Sequence, residues 1–173
     1  MNDTVEHINA TIAANLQQAL PTADLRHYAL AESVALRGEE DITLPAIVLP
    51  DGECYDVYGE TDKHDVVLYH RLGDITYNED TRNAYGSGTT YTQVADMSLI
   101  VFGKREKISQ FQMERIARQA IAQHANCSLV RSDFNALQIF ANEYAGVSYF
   151  IGSAYYLFKI NYRITGTYNP RCN

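Results

Sequence analysis

The stretch VADMSLIVFGKREKISQFQMERIARQAIAQHA, Val94 to Ala125, decides how the rest of the chain is read. In its first part Ala95, Met97, Leu99 and Val101 alternate with Asp96, Ser98, Ile100 and Phe102. That two-residue period is a strand, and both of its faces turn apolar toward the end, as in a strand that enters a core. A tight connection follows, and then a helix start: Ser109 is placed to cap, Gln112 to reach back to the cap amide, and Ile108 to staple against Met113. Met113, Ile116, Ala117, Ala120, Ile121 and His124 recur at helical spacing, with Glu114, Arg115, Arg118, Gln119 and Gln123 on the other side. Glu114 and Arg118 stand at i, i+4 in the favourable order, which supports the helix by a few tenths of a kcal/mol at most.

Working outward from this unit, Val5, Ile8, Ile12 and Leu16 mark a first amphipathic helix over Asp3–Leu20, with Asp3 or Thr4 as its cap and Pro21 closing it. Asp24–Arg37 fits a helix or a strand, and the alternation of Tyr28, Leu30, Glu32, Val34 and Leu36 favours strand. Leu44–Leu49, bracketed by Pro45 and Pro50, reads as a short strand at an edge or a strand end. Val66–Tyr77 returns to strand, with Val67, Tyr69, Ile75 and Tyr77 assigned to one face and Gly73 to a bulge. Ser128–Arg131 reads as a short strand and Asp133–Tyr144 as a second helix or turn region. Tyr155–Tyr168 is the clearest strand: Tyr156, Phe158, Ile160, Tyr162 and Ile164 share one face, Lys159, Asn161, Arg163, Thr165 and Thr167 the other. A strand of that length either bends across the whole sheet or projects toward a neighbour.

The chain of 173 residues with 46% hydrophobic content is predicted to be a single α+β domain over 1–173: an N-terminal helix, a mainly antiparallel sheet packed against a central amphipathic helix, and a long C-terminal strand. Two segments stand outside that frame, an acidic excursion at 51–65 and a flexible loop or arm at 78–92 whose Gly86, Ser87 and Gly88 follow no structural period. No apolar run approaches a membrane span and the start MNDTVEHINAT has no signal-peptide pattern, so a soluble, non-secreted protein with no membrane partner is expected. Three cysteines, Cys54, Cys127 and Cys172, lack CxxC spacing and are expected to be reduced thiols.

The net charge of −7 is concentrated, since Glu39, Glu40, Asp41, Asp51, Glu53, Asp56, Glu60, Asp62 and Asp65 face only Lys63 between positions 39 and 65. That density opposes nucleic-acid wrapping by this segment. Thirteen tyrosines without a tryptophan suit faces covered when a partner arrives, and equally suit half-buried strand surface.

The chemistry-bearing patterns are sparse. DGECYDVYGETD lacks calcium-loop spacing, and His64 and His70 form neither HxH nor HExxH. His124 near Cys127 reads as a histidine at a helix C-terminus, which the helix dipole favours without any chemistry. GSG at 86–88 lacks the lysine of a phosphate loop. Lys104, Arg105 and Lys107 would meet phosphate, an acidic partner, or the chain's own acidic segment. No catalytic residue, metal ligand or cofactor is expected.

In this order of elements the chain resembles the tail-completion, or tail-terminator, proteins of tailed bacteriophages and related head–tail joining proteins. The resemblance is carried by the N-terminal helix, LPAIVLP at 44–50, MSLIVFGKRE at 97–106 running into the capped helix, and YYLFKINYRITGTY at 155–168. It implies a non-catalytic α+β virion protein of the tail or neck, assembled in the host cytoplasm into a closed hexameric or dodecameric ring. Its partners would be neighbouring head, neck or tail proteins, with DNA passing through the lumen without sequence-specific binding. A ring needs two different patches per subunit. The expected interface residues are Tyr85, Gly86, Ser87, Gly88 and Tyr91 on the arm, Lys104 and Arg105 before the helix, and Arg163 on the final strand, whose edge would extend a neighbour's sheet. Asp51, Glu53, Asp56, Glu60, Asp62 and Asp65 are expected to face the lumen, and deletion of Gly86–Thr89 to block assembly while leaving the monomer folded. The competing expectation is a small intracellular binding module or enzyme with a pocket between helix and sheet, where tyrosines, His70 and His124 supply the polar contacts.

Overall fold

The computed structural model describes residues 2–37, 43–56, 60, 62–80, 90–134 and 154–168. The elements are α1 (Asn2–Ala19), β1 (Leu25–Leu30), β2 (Glu32–Arg37), β3 (Thr43–Val48), β4 (Cys54–Asp56), β5 (Val66–Asp80), β6 (Thr90–Lys104), α2 (Gln110–Ala122), β7 (Cys127–Asp133) and β8 (Tyr155–Tyr168). They form an α+β structure with a five-stranded sheet in the order β1-β5-β6-β8-β7 and a three-stranded sheet in the order β2-β3-β4. All pairs are antiparallel except β1 with β5. Among the described residues no helix is long and apolar enough to cross a membrane.

The alternation along β6 explains the layering. Leu99 and Val101 join a core with both helices, to which α1 contributes Val5, Ile8, Ile12 and Leu16 and α2 contributes Met113, Ala117, Ala120 and Ile121. Ile100 and Phe102 point the other way, into a second core with Val67, Tyr69, Leu157, Tyr28 and Ile47 of the small sheet. Both faces of the strand end are apolar because each is covered by a different layer. β8 follows the same rule: Tyr156, Phe158, Ile160, Tyr162 and Ile164 are all at most 2% exposed toward the helices. Ser109 caps α2 by accepting from the Gln112 amide at 3.3 Å, which satisfies one of the helix's orphan donors.

Several expectations need correction. Asp24–Arg37 is two strands broken at Ala31, whose amide donates to the His70 carbonyl at 2.9 Å as the chain leaves the large sheet. Asp3 and Thr4 lie inside the first turn of α1 rather than at its cap. The Gly73 bulge is present, with a register shift between Leu72 and Ile75. One extra residue reverses the alternation, so Ile75 and Tyr77 lie opposite Ala95 and Gln93 on the helix side, away from Val67 and Tyr69. The arm is shorter than 78–92, because Asn78–Asp80 pair with Thr90–Thr92; residues 81–89 lie outside the described residues. Most of the Asp133–Tyr144 region and Cys172 also lie outside them. Pro45 is tolerated because β4 pairs only with Ala46–Val48, leaving β3 covered on one side at the proline.

The final strand offers no edge over Lys159–Ile164, although among the described residues Tyr155–Phe158 and Gly166–Tyr168 form ladder pairs with β6 alone. It pairs with β6 from Tyr155 to Tyr168 and with β7 from Lys159 to Ile164, so β7 rather than β8 is the last strand on that side.

Candidate functional site

The residues expected at an interface are distributed over three places. Lys104 and Arg105 end β6 at the base of the sheet and are held there by local bonds. The Lys104 ammonium donates to the Asp62 carbonyl at 3.0 Å, and Arg105 Nε donates to the Tyr155 carbonyl at 2.9 Å. Lys104 thus reaches the acidic segment at a backbone carbonyl, while Arg105 is tied to β8. Arg163 lies far along β8, where its Nε donates to Asp96 at 2.8 Å; at about 3.3 Å per residue that is roughly 26 Å from Tyr155. Tyr91 lies farther still, paired with Tyr168. Tyr85, Gly86, Ser87 and Gly88 lie outside the described residues.

The acidic segment is more structured than a solvated loop. Gly52, at a φ of 88°, turns the chain between β3 and β4, a backbone region that glycine enters without steric cost. Asp51 and Glu53 are exposed at this turn, and Asp56 ends β4. Glu60 does not face a lumen: it is 7% exposed, accepts from the Tyr28 hydroxyl, and pairs with Lys63 at 2.9 Å. Burial alone would raise the Glu60 pKa, but the bonds from Tyr28 and Lys63 outweigh it and hold the carboxyl below its ordinary value. Burial and the bond to Glu60 push Tyr28 up to about 12, and the Arg26 guanidinium lies 4.8 Å from its ring centre. Asp62 accepts from the Tyr155 hydroxyl at 2.7 Å and Asp65 from the Asp24 amide at 3.1 Å. These acids clamp the segment onto β1 and β8.

A polar cluster that includes His70, one of the residues expected between helix and sheet, lies inside the helix-side core. His70 on β5 is fully buried and lies 2.7 Å from the Tyr162 hydroxyl of β8, which in turn lies 3.0 Å from Asn9 Oδ1 of α1. The hydroxyl thus bridges His70 Nδ1 and Asn9, and the tautomer of His70 sets which of the ring nitrogen and the hydroxyl donates. His27 on β1 meets His70 edge-on, with ring centres 5.2 Å apart. Burial lowers the His27 pKa to about 4, and burial together with His27 puts His70 well below its ordinary value. The Nε2 atoms of both rings and Asn9 Nδ2 have no hydrogen-bond partner among the described residues. His124 is half-buried after α2 and is not part of this cluster. Of the residues expected between helix and sheet, His70 belongs to this cluster, with Tyr162 as one of the tyrosines, whereas Asn9 and His27 are not among the expected residues.

Cys54 is an exposed free thiol, and Cys127 is half-buried with its pKa raised to about 11 by burial. Among the described residues no group of three histidines, cysteines or carboxylates is placed to hold a metal. No protein-family model matches the chain, and no curated protein matches it.

Proposed function

We propose that this chain is a non-catalytic structural subunit of a ring at the head–tail junction of a tailed bacteriophage, acting in tail completion or tail termination. The observation that carries the reading is the shape of the large sheet. β1 covers β5 only as far as His70, while β5 and β6 run on together to Asp80 and Thr90. Along that extension β5 pairs with β6 alone among the described residues, and Ile75 and Tyr77 are 37% and 57% exposed. A strand pair carried beyond its covering layers, with apolar side chains in water, is suited to lie on a neighbouring subunit.

Lys104 serves in this reading as an anchor of the acidic segment and Arg105 as a tie to β8, and Asp51 and Glu53 are exposed acids available to a lumen or partner. Native mass measured over a range of concentrations, with negative-stain images of the same samples, tests the proposal. Closed rings of uniform size are expected. A protein that stays monomeric throughout, also after cross-linking at the highest concentration, overturns it.

The pocket reading draws on the His27–His70 pair and its unpartnered nitrogens. Its polar groups are enclosed between α1 and the sheet, so it requires α1 to lift for a ligand to enter. Ligand-induced loss of amide protection in α1 would favour it over the ring.

A further inference from the structure

Resting on the ring reading, we infer that subunits join head to tail by seating Phe111 of one copy in an apolar groove at the opposite sheet edge of the next. Phe111 is 80% exposed although it sits in the first turn of a capped helix. An aromatic side chain on a rigid helix loses little freedom when it is buried by a partner, which makes it an effective anchor. Its direction is fixed by its own helical stripe. Glu114 and Arg118, three and seven residues on, both bond to the Ser132 hydroxyl of β7, at 2.9 and 3.2 Å. Phe111 therefore stands over the β7 edge, and Phe134, 46% exposed, follows the end of that strand.

The groove lies at the other extreme of the strand order. Leu30, Val48, Leu49, Pro50 and Leu72 line a space of about 290 Å³ where β1 leaves β5 and the turn after β3 forms the second wall. That is at the lower end of ligand-site volumes, about 300–1,000 Å³, and is large enough to take an inserted aromatic side chain. The charges match as well. Asp51 and Glu53 are exposed on the groove's turn and Glu32 lines it beside Arg71, 3.8 Å away. On the opposite edge Arg115 and Arg118 flank Phe111 and Arg131 of β7 is 70% exposed; Glu114 and Asp133 pair with Arg118 and Arg131, each at 3.4 Å, which leaves an excess of one positive charge among these five. A knob on one edge and a hole on the other make a heterologous contact, which a suitable rotation closes into a ring.

The test uses the full chain and two variants, Phe111→Glu without the knob and Leu49→Glu without the groove. Each alone is expected to associate about thirtyfold or more weakly than the parent, the usual consequence of removing a central anchor. Mixed, they are expected to give a 1:1 dimer and nothing larger, because the intact knob of one fits the intact groove of the other while both outer faces are blocked. Formation of that dimer also shows that both variants fold. Rings from the parent and equally from each variant would overturn the knob-and-groove contact and leave the ring reading standing. Monomeric variants that form no dimer when mixed would also overturn the contact. A parent that never associates would overturn both readings.

Discussion

At its base the large sheet carries apolar side chains on both faces, whereas farther along β6 and β8 only the helix side is apolar. Phe102, Ile100 and Leu157 pack under the small sheet, while Ser98, Asp96, Asn161 and Arg163 occupy the same face beyond it. The same strands thus pass from a three-layer region to a two-layer one. Stability is concentrated where burial is double, and the polar half is left to hydrogen-bonded pairs such as Ser98 with Asn161 at 2.9 Å. The difference also separates what holds the subunit together from what is free to meet a partner.

The sharpest test of that contrast is a pair of substitutions on one face of β6. Phe102→Ala is expected to cost about 3–5 kcal/mol, the usual range for emptying a buried aromatic site, whereas Ser98→Ala is expected to cost about 1 kcal/mol or less. Denaturant unfolding of both variants would erase the distinction if the two losses were equal. Gly103→Ala should behave like the first, because a methyl group there would overlap the Tyr156 ring.

Acid probes the helix side of the same sheet. His27 and His70 have folded pKa values below the ordinary histidine value of 6.5. The unfolded chain therefore binds protons that the folded one refuses. Their contribution is fully present above about pH 6.5 and is lost as pH falls, for His27 down to about 4, by up to about 1.4 kcal/mol per pH unit for each ring. Stability measured from pH 7 to 4 should show this slope, and His27→Gln should flatten it. An unchanged slope would place the acid sensitivity elsewhere.

Smaller effects are expected where single hydrogen bonds act. Ser109→Ala removes the cap of α2 and should cost about 1 kcal/mol, read from the thermal midpoint. Arg163→Ala breaks a pair whose side chains are 53% and 49% exposed, so less than about 1 kcal/mol is expected, and less again in high salt. A larger loss at Arg163 would mean that the polar half of the sheet contributes more to folding than its exposure allows.

Much of the local structure was legible in the residues. The Ser109 cap, the buried stripes of α1 and α2, the inward face of β8 and the Gly73 bulge all follow from periods and spacings within a few residues. The extra residue at the bulge reverses the faces beyond it, which is why Ile75 and Tyr77 lie on the helix side and not with Val67 and Tyr69. Of the expected interface residues, Lys104 is bonded to the acidic segment and Arg105 to β8, and of the acids expected to face a lumen Glu60 is buried. Charge alone does not tell a solvated acid from one satisfied by a distant tyrosine and a nearby lysine.

Local pattern sufficed for both helices, for β6 up to Lys104 and for β8, and for their apolar faces, because those depend on neighbours one to four residues away; it did not find β4 or the face of β5 beyond the bulge. Long-range packing set the order β1-β5-β6-β8-β7, the second layer over Phe102, and the partners of the buried polar groups. Tyr28 meets Glu60 across 32 positions and His70 meets Tyr162 across 92. Contacts of that span arise from packing two layers onto one sheet, and no local pattern encodes them.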